Sequence, residues 1–166
     1  IEPAIKPAGL YTQTKVVGVL ATQRTLRSDF FAKTKEQFLE KDITLITQEG
    51  LGLVPLIEEG KIETPEMYQL LEKYLQPMVA QGMDYLVLGC THYPYLTPII
   101  SEILPQHIRI IDSADAVAKQ TERILKQNNL STTDKTVPEH LWLTNKNVEI
   151  LQSFAPKEIK VHYESF

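Results

Sequence analysis

A single cysteine, Cys90, among 166 residues excludes an internal disulfide, and without a Cys-x-x-Cys pair there is neither a zinc knuckle nor a thioredoxin-like redox pair. No His-Glu-x-x-His segment occurs, and His92, His107, His140 and His162 have no zinc-motif spacing, so no metal site is expected. The Gly-x-Gly-x-x-Gly and Walker A loops are also missing, and Gly50-Leu51-Gly52 alone does not make a nucleotide site. Positive charge is not in excess: the formal net charge is -4, which gives no field to attract nucleic acid or an anionic membrane. The apolar runs 16–20 and 85–88 fall far short of the roughly 20 residues that cross a bilayer. Ile1-Glu2-Pro3-Ala4-Ile5-Lys6-Pro7 has neither the basic start nor the apolar core of a signal peptide. The expectation is a cytoplasmic protein with no nucleic-acid or membrane partner. Its first residue is Ile1 rather than methionine, so the chain is expected to start inside a longer polypeptide and to hold an incomplete active site.

What is present is an alternation of short apolar runs and amphipathic segments. Val16-Val17-Gly18-Val19-Leu20 reads as a buried strand, being short, β-branched and apolar on both alternating faces. A helix is predicted over 25–39, with Phe30, Thr34 and Phe38 stacked at steps of four and Phe31 widening the stripe. A strand over 43–46 and a loop over 48–52 follow. Thr64 and Pro65 are a cap and first helical residue for a helix to about Ala80, which Pro77 bends or ends. Strands are predicted over 85–88, 109–111 and 141–143. Helices are predicted from Pro94 with Ile99, Ile100 and Ile103 facing inward, from Asp112-Ser113 to Gln127, and over 146–154 with Thr144 or Asn145 as cap. Residues 128–138 read as a polar connector. The fold class is α/β, a mostly parallel sheet covered by helices. Ligands in such folds gather at the carboxyl ends of strands, so the residues after Leu20, Ile46, Leu88 and Ile111 are the places to search.

Two readings stand for each side chain found there. Cys90 is either a small buried hydrophobe or, at a strand end before a helix, a thiol whose anion the free backbone N-H groups favour. His92 either ties down the loop through Tyr93 and Pro94 or exchanges a proton with the cysteine; an imidazole titrates near pH ~6.5 and a free thiol near ~8.5. Thr22 and Thr25 either cap their own helix or hydrogen-bond a substrate carboxylate. Arg24 and Arg27 read as solvated surface. Glu58, and less so Glu59, either sits on the surface or orients a substrate ammonium. Asp112 and Ser113 read as helix caps, and Trp142 as part of a core or junction. A Cys-His hydrolase is a secondary reading, because no partner to orient the histidine is evident.

At Gly89-Cys90-Thr91-His92-Tyr93-Pro94 the chain resembles the second catalytic-cysteine motif of the glutamate racemases, within the aspartate/glutamate racemase superfamily. Ile1-Glu2-Pro3 resembles the start of that family's second domain, 21–28 its threonine loop, Val54-Pro55-Leu56-Ile57-Glu58 a further family stretch, and 110–114 the segment returning to the first domain. Together these cover most of residues 1–128, while the tail matches only loosely. The resemblance implies a second racemase-like domain over 1–108 and a returning segment over 109–166. It further implies a cofactor-independent racemase that interconverts L-glutamate and D-glutamate for peptidoglycan, with two cysteines exchanging the α-proton from opposite faces. Cys90 matches the cysteine that takes the proton from L-glutamate, His92 its assisting histidine, and Thr91 a substrate-binding residue. Thr22 and Thr25 match the threonine loop beside the substrate, and Glu58 an acidic residue near the site. Family members often form homodimers. The Asp-Ser-Gly and first Cys-Asn-Thr segments usual in the family do not occur, and Gly50-Leu51 stands where many members carry Cys-Pro. The chain is therefore expected to be inactive without a missing first domain. The alternatives are a related racemase, acting for example on aspartate, and a non-catalytic amino-acid binding module.

Overall fold

Val16-Val17-Gly18-Val19-Leu20-Ala21 is apolar throughout because both of its faces are covered. In the computed structural model, which describes residues 2–39, 42–132, 134 and 136–166, it forms strand β1 (Val16–Ala21) in the middle of a four-stranded parallel sheet. Its neighbours are β2 (Thr44–Glu49) and β3 (Tyr85–Gly89), and β4 (Arg109–Ile111) pairs with the far side of β3. Alternate residues of β1 serve different layers. Val17, Val19 and Ala21 pack with Ala4, Ile5 and Ala8 of α1 (Glu2–Tyr11) and with Phe31 and Phe38 of α3 (Asp29–Leu39). Leu20 faces α4 (Leu53–Glu58), α5 (Pro65–Ala80) and α6 (Thr97–Ile103). Gly18 shares that second face: a Cβ there would lie 2.5 Å from Met83 Sδ and 2.8 Å from Met78 Cε, so the close approach of α5 depends on glycine. Each aliphatic side chain buried in these layers contributes roughly 1.5–3 kcal/mol.

The amino-terminal ends of the strands are tied by Asp84, which is only 9% exposed. Its carboxylate accepts from Thr12 Oγ1 at 2.6 Å, the Gln13 amide at 2.6 Å and the Thr14 amide at 3.1 Å. Its backbone N-H donates to Val16 and its carbonyl accepts from Arg109, so one residue joins the edges of β1, β3 and β4. Burial pushes the Asp84 carboxyl up, but the hydrogen bonds from Thr12, Gln13 and Thr14 outweigh it and hold the group below its ordinary value.

Several expectations change. The helix predicted over 25–39 is two helices, α2 (Gln23–Leu26) and α3, broken where Ser28 Oγ donates to the Thr25 carbonyl at 2.7 Å and accepts from the Phe31 amide at 3.2 Å. The buried stripe of α3 is Phe31, Thr34 and Phe38, while Phe30 is 51% exposed. The loop expected over 48–52 is shorter, since Gln48 and Glu49 complete β2, and α1 and α4 lie where the sequence predicts no element. Thr64 and Pro65 do begin α5, which runs through Pro77 to Ala80. After a 3-10 turn (Tyr93–Leu96) and α6, helix α7 (Ala114–Gln127) contains no buried residue. The tail forms β5 (Trp142–Thr144), α8 (Val148–Phe154) and β6 (Val161–Tyr163), with β5 and β6 a separate parallel pair. Neither Thr144 nor Asn145 caps α8; Asn147 does, its Oδ1 accepting from the Glu149 and Ile150 amides at 2.8 and 3.3 Å. Among the described residues no helix is long and apolar enough to cross a membrane.

Candidate active site

The strand register brings the candidate residues together. Ala21 pairs with Glu49 on one side and Gly89 on the other, so Thr22, Gly50 and Cys90 emerge side by side at the carboxyl edge of the sheet. Thr22 caps α2, its Oγ1 accepting from the Thr25 amide at 3.4 Å and lying 3.1 Å from Thr25 Oγ1. Thr25 Oγ1 donates to the Gly89 carbonyl at 3.3 Å, which leaves Thr22 as the donor between the two hydroxyls. Capping and site-building are thus one arrangement: the pair that closes α2 also fixes the peptide before Cys90.

On the other side, two tyrosines hold the turn between β2 and α4. Tyr93, fully buried, donates to the Gly50 carbonyl at 3.2 Å, and Tyr74 donates to the Leu51 carbonyl at 2.8 Å. Burial, then the neighbouring Cys90, Tyr74 and Glu49, pushes the Tyr93 phenol far above its usual range, so it stays a donor. This clamp delivers α4, and with it Glu58, to the turn that carries Cys90.

Cys90 is half-buried, and its Sγ lies 3.9 Å from His92 Nδ1. On the far side of the ring, His92 Nε2 is 3.4 Å from Glu58 Oε1, and Glu58 Oε2 is 3.1 Å from Lys146 Nζ. The hydrogen bond and charge of Lys146 lower the Glu58 pKa below its ordinary value, with burial opposing and His92 adding a smaller share. A carboxylate only accepts, so the tautomer that suits Glu58 carries its hydrogen on Nε2, and in that neutral imidazole Nδ1 is the acceptor facing the thiol. The arrangement can draw the proton from Cys90 and leave a thiolate open to a ligand at the strand ends.

The structure therefore brings Cys90, His92 and Glu58 into one line, with Thr22 and Thr25 bracing the strand end beside it and Thr91 exposed on the same turn. The partner for the histidine that the sequence did not reveal is Glu58. Both of its oxygens are engaged, by His92 and by Lys146, rather than standing free for an ammonium. Lys146 was also missed: it lies 88 residues from Glu58 on a tail with no matching motif. Glu59 pairs with Lys61 on the surface at 2.7 Å; at the start of α7 the N-cap is Ser113, without a side-chain cap bond, and Asp112 Oδ1 before it accepts from the Ala114 amide at 2.7 Å. A groove of about 640 Å³ between α1 and α7 contains none of the candidate side chains, whereas one of about 350 Å³ between α4 and α8 is bordered by Glu58, His92 and Lys146.

Residues 1–121 match the family model described as Asp/Glu/Hydantoin racemase. The chain belongs to this racemase family. It is 44% identical over 156 residues to a glutamate racemase of Pseudomonas putida, covering 94% of the chain and 58% of that protein. A glutamate racemase of Cupriavidus pinatubonensis is 41% identical over 155 residues, covering 93% and 57%. This racemase-family chain thus spans less than two thirds of the curated relatives it matches. Among solved structures, a glutamate racemase isoform from Bacillus anthracis superposes with a TM-score of 0.79 at 25% identity, covering 99% of this chain and 63% of that one. The Francisella tularensis glutamate racemase, solved in complex with D-glutamate, gives 0.75 at 25% identity, covering 95% and 60%. The parallel sheet flanked by helices matches one domain of that two-domain racemase fold.

Proposed function

We propose that the chain is the second domain and returning segment of a glutamate racemase, and that it supplies the thiol for one face of the substrate's α-carbon. The observation that carries this reading is the line from Cys90 Sγ to His92 Nδ1 and from His92 Nε2 to Glu58, set at a strand end beside the threonine loop. His92 takes the thiol proton, and the Cys90 thiolate removes the α-proton of L-glutamate. A second thiol, on a first domain, donates a proton to the opposite face and gives D-glutamate. The reverse reaction exchanges the roles, so protons balance without a cofactor. Thr91 hydrogen-bonds the substrate from its exposed turn, Thr22 and Thr25 do so by exchanging the hydroxyl bonds they make to each other and to Gly89, and donors aimed at the α-carboxylate stabilise the charge that develops as the proton leaves. Glu58 acts through His92.

The division of the chain belongs to the same proposal. Residues 1–108 form the racemase-like unit and 109–166 the returning segment, whose first residues close the sheet as β4 and whose exposed α7 a first domain would cover. Cytoplasmic peptidoglycan synthesis and a homodimer complete the reading.

Side-by-side turnover tests the substrate. The chain joined to the proposed first domain is expected to interconvert the glutamate enantiomers and to leave the aspartate pair essentially unchanged. Preference for aspartate would assign a related racemase, and calorimetric binding of glutamate without inversion by that complete protein would assign a binding module.

A further inference from the structure

The third link of the line, Lys146, lies beyond residues 1–121 that match the family model; its side chain is 74% exposed, but its backbone is held in place. Its amide donates to Thr144 Oγ1 at 3.0 Å at the end of β5, and the next residue, Asn147, caps α8. Helix α8 is seated on the main unit by Phe154, whose ring stacks on Tyr95 with centroids 4.3 Å apart, and by Ile150 against Gly60. Gln152 fixes the other side of α8, donating to the Ile159 carbonyl at 2.9 Å and accepting from the Val161 amide at 3.0 Å. The tail thus holds the backbone of Lys146 opposite the last residue of α4.

Glu58 needs such a hold. It ends a six-residue helix and its side chain is 44% exposed. The charged groups facing it are His92 from the Cys90 turn and Lys146 from the tail, while its neighbour Glu59 is taken up by Lys61. We infer that Lys146 is a positioning residue: by holding Oε2 of Glu58 it keeps Oε1 on Nε2 of His92, and so keeps Nδ1 turned to Cys90. The tail then takes part in the site without touching substrate, and displacing α8 withdraws the support from His92. Its catalytic meaning rests on the proposed racemase reading; the side-chain coupling does not.

The coupling is read on the 166-residue chain from the nitrogen shifts of neutral His92, which report its tautomer, and from the rate of Cys90 alkylation by iodoacetamide at neutral pH. Lys146→Met is expected to reduce the Nε2-H tautomer and slow alkylation about two- to fivefold, the scale of an exposed ion pair. Lys146→Arg is expected to restore both. In a Glu58→Ala background Lys146→Met should change neither, since the intermediary is gone. Unchanged tautomer and alkylation in Lys146→Met, or an equal effect without Glu58, would overturn the inference. Neither readout uses glutamate turnover. Coupling without α-proton exchange by the completed racemase defeats the functional reading alone, and exchange without coupling defeats this one alone.

Discussion

Replacing Asp84 with asparagine removes one charge and little else, which makes it a sharp probe of how the sheet is anchored. The native carboxylate receives one hydroxyl and two amide hydrogen bonds, at 2.6, 2.6 and 3.1 Å, in a site 9% exposed. The substituted side chain keeps one acceptor oxygen and turns an NH2 group toward the remaining donors. Hydrogen bonds to a charged acceptor are worth about 1.5–3 kcal/mol each, and at least one is lost outright, so Asp84→Asn is expected to cost about 2–3 kcal/mol at pH 7. That is a fall in Tm of roughly 5–10 °C for a chain of this size. The loss depends on pH with a definite sign. The folded-state pKa of Asp84 is lowered, so the folded chain binds fewer protons than the unfolded one; the stabilisation is complete above the unfolded value near ~4 and disappears as pH falls through the folded value. Urea unfolding of both proteins across the acid range should show the gap closing below the folded pKa. A gap that is the same in acid as at pH 7, or absent at pH 7, would refute the reasoning.

Gly50→Ala should destabilise by about 1–3 kcal/mol, because a Cβ there meets Tyr93 Oη, with Leu53 Cδ1 at 2.7 Å and Tyr93 Cζ at 2.9 Å; an unchanged melting temperature would show that Tyr93 does not clamp this turn. Tyr93→Phe should cost less, about 1 kcal/mol, since the Gly50 carbonyl keeps the Leu53 amide as a second donor; a loss above about 3 kcal/mol by urea unfolding would show a larger role for the hydroxyl. Asn147→Ala removes the acceptor of two amides and should cost the tail about 1 kcal/mol, read as faster hydrogen exchange at Glu149 and Ile150 with β1 and β3 unaffected.

The central strands were legible because a strand buried on both faces must be apolar at every position, as 16–20 and 85–88 are. Cys90, Thr22 and Thr25 were legible for a related reason: in a parallel sheet the strand ends are where side chains converge. The phase of α3 was misread because Phe30, Thr34 and Phe38 stack as well on paper as Phe31, Thr34 and Phe38, and only the interruption at Ser28 selects the second set. Asn147 lost to Thr144 and Asn145 as the expected cap because three residues able to cap lie within four positions. The partner of His92 was hidden by distance along the chain. Glu58 reaches it through a turn held by Tyr74 and Tyr93, and Lys146 approaches from a tail whose predicted strand and helix carry no sign of what they pack against. Gly50 fits the same geometry, since the Tyr93 hydroxyl occupies the space a side chain would need.

The most direct measurement joins the chain to the proposed first domain and follows L-glutamate in deuterated water by NMR. α-Deuterium should appear in D-glutamate with the native protein and fall by a factor of about 10³ or more in Cys90→Ala, while the 166-residue chain alone forms no D-glutamate at an appreciable rate. Exchange fully retained without the Cys90 thiol, or ordinary racemisation by the isolated chain, would contradict the division of the two faces of glutamate between Cys90 and a second thiol.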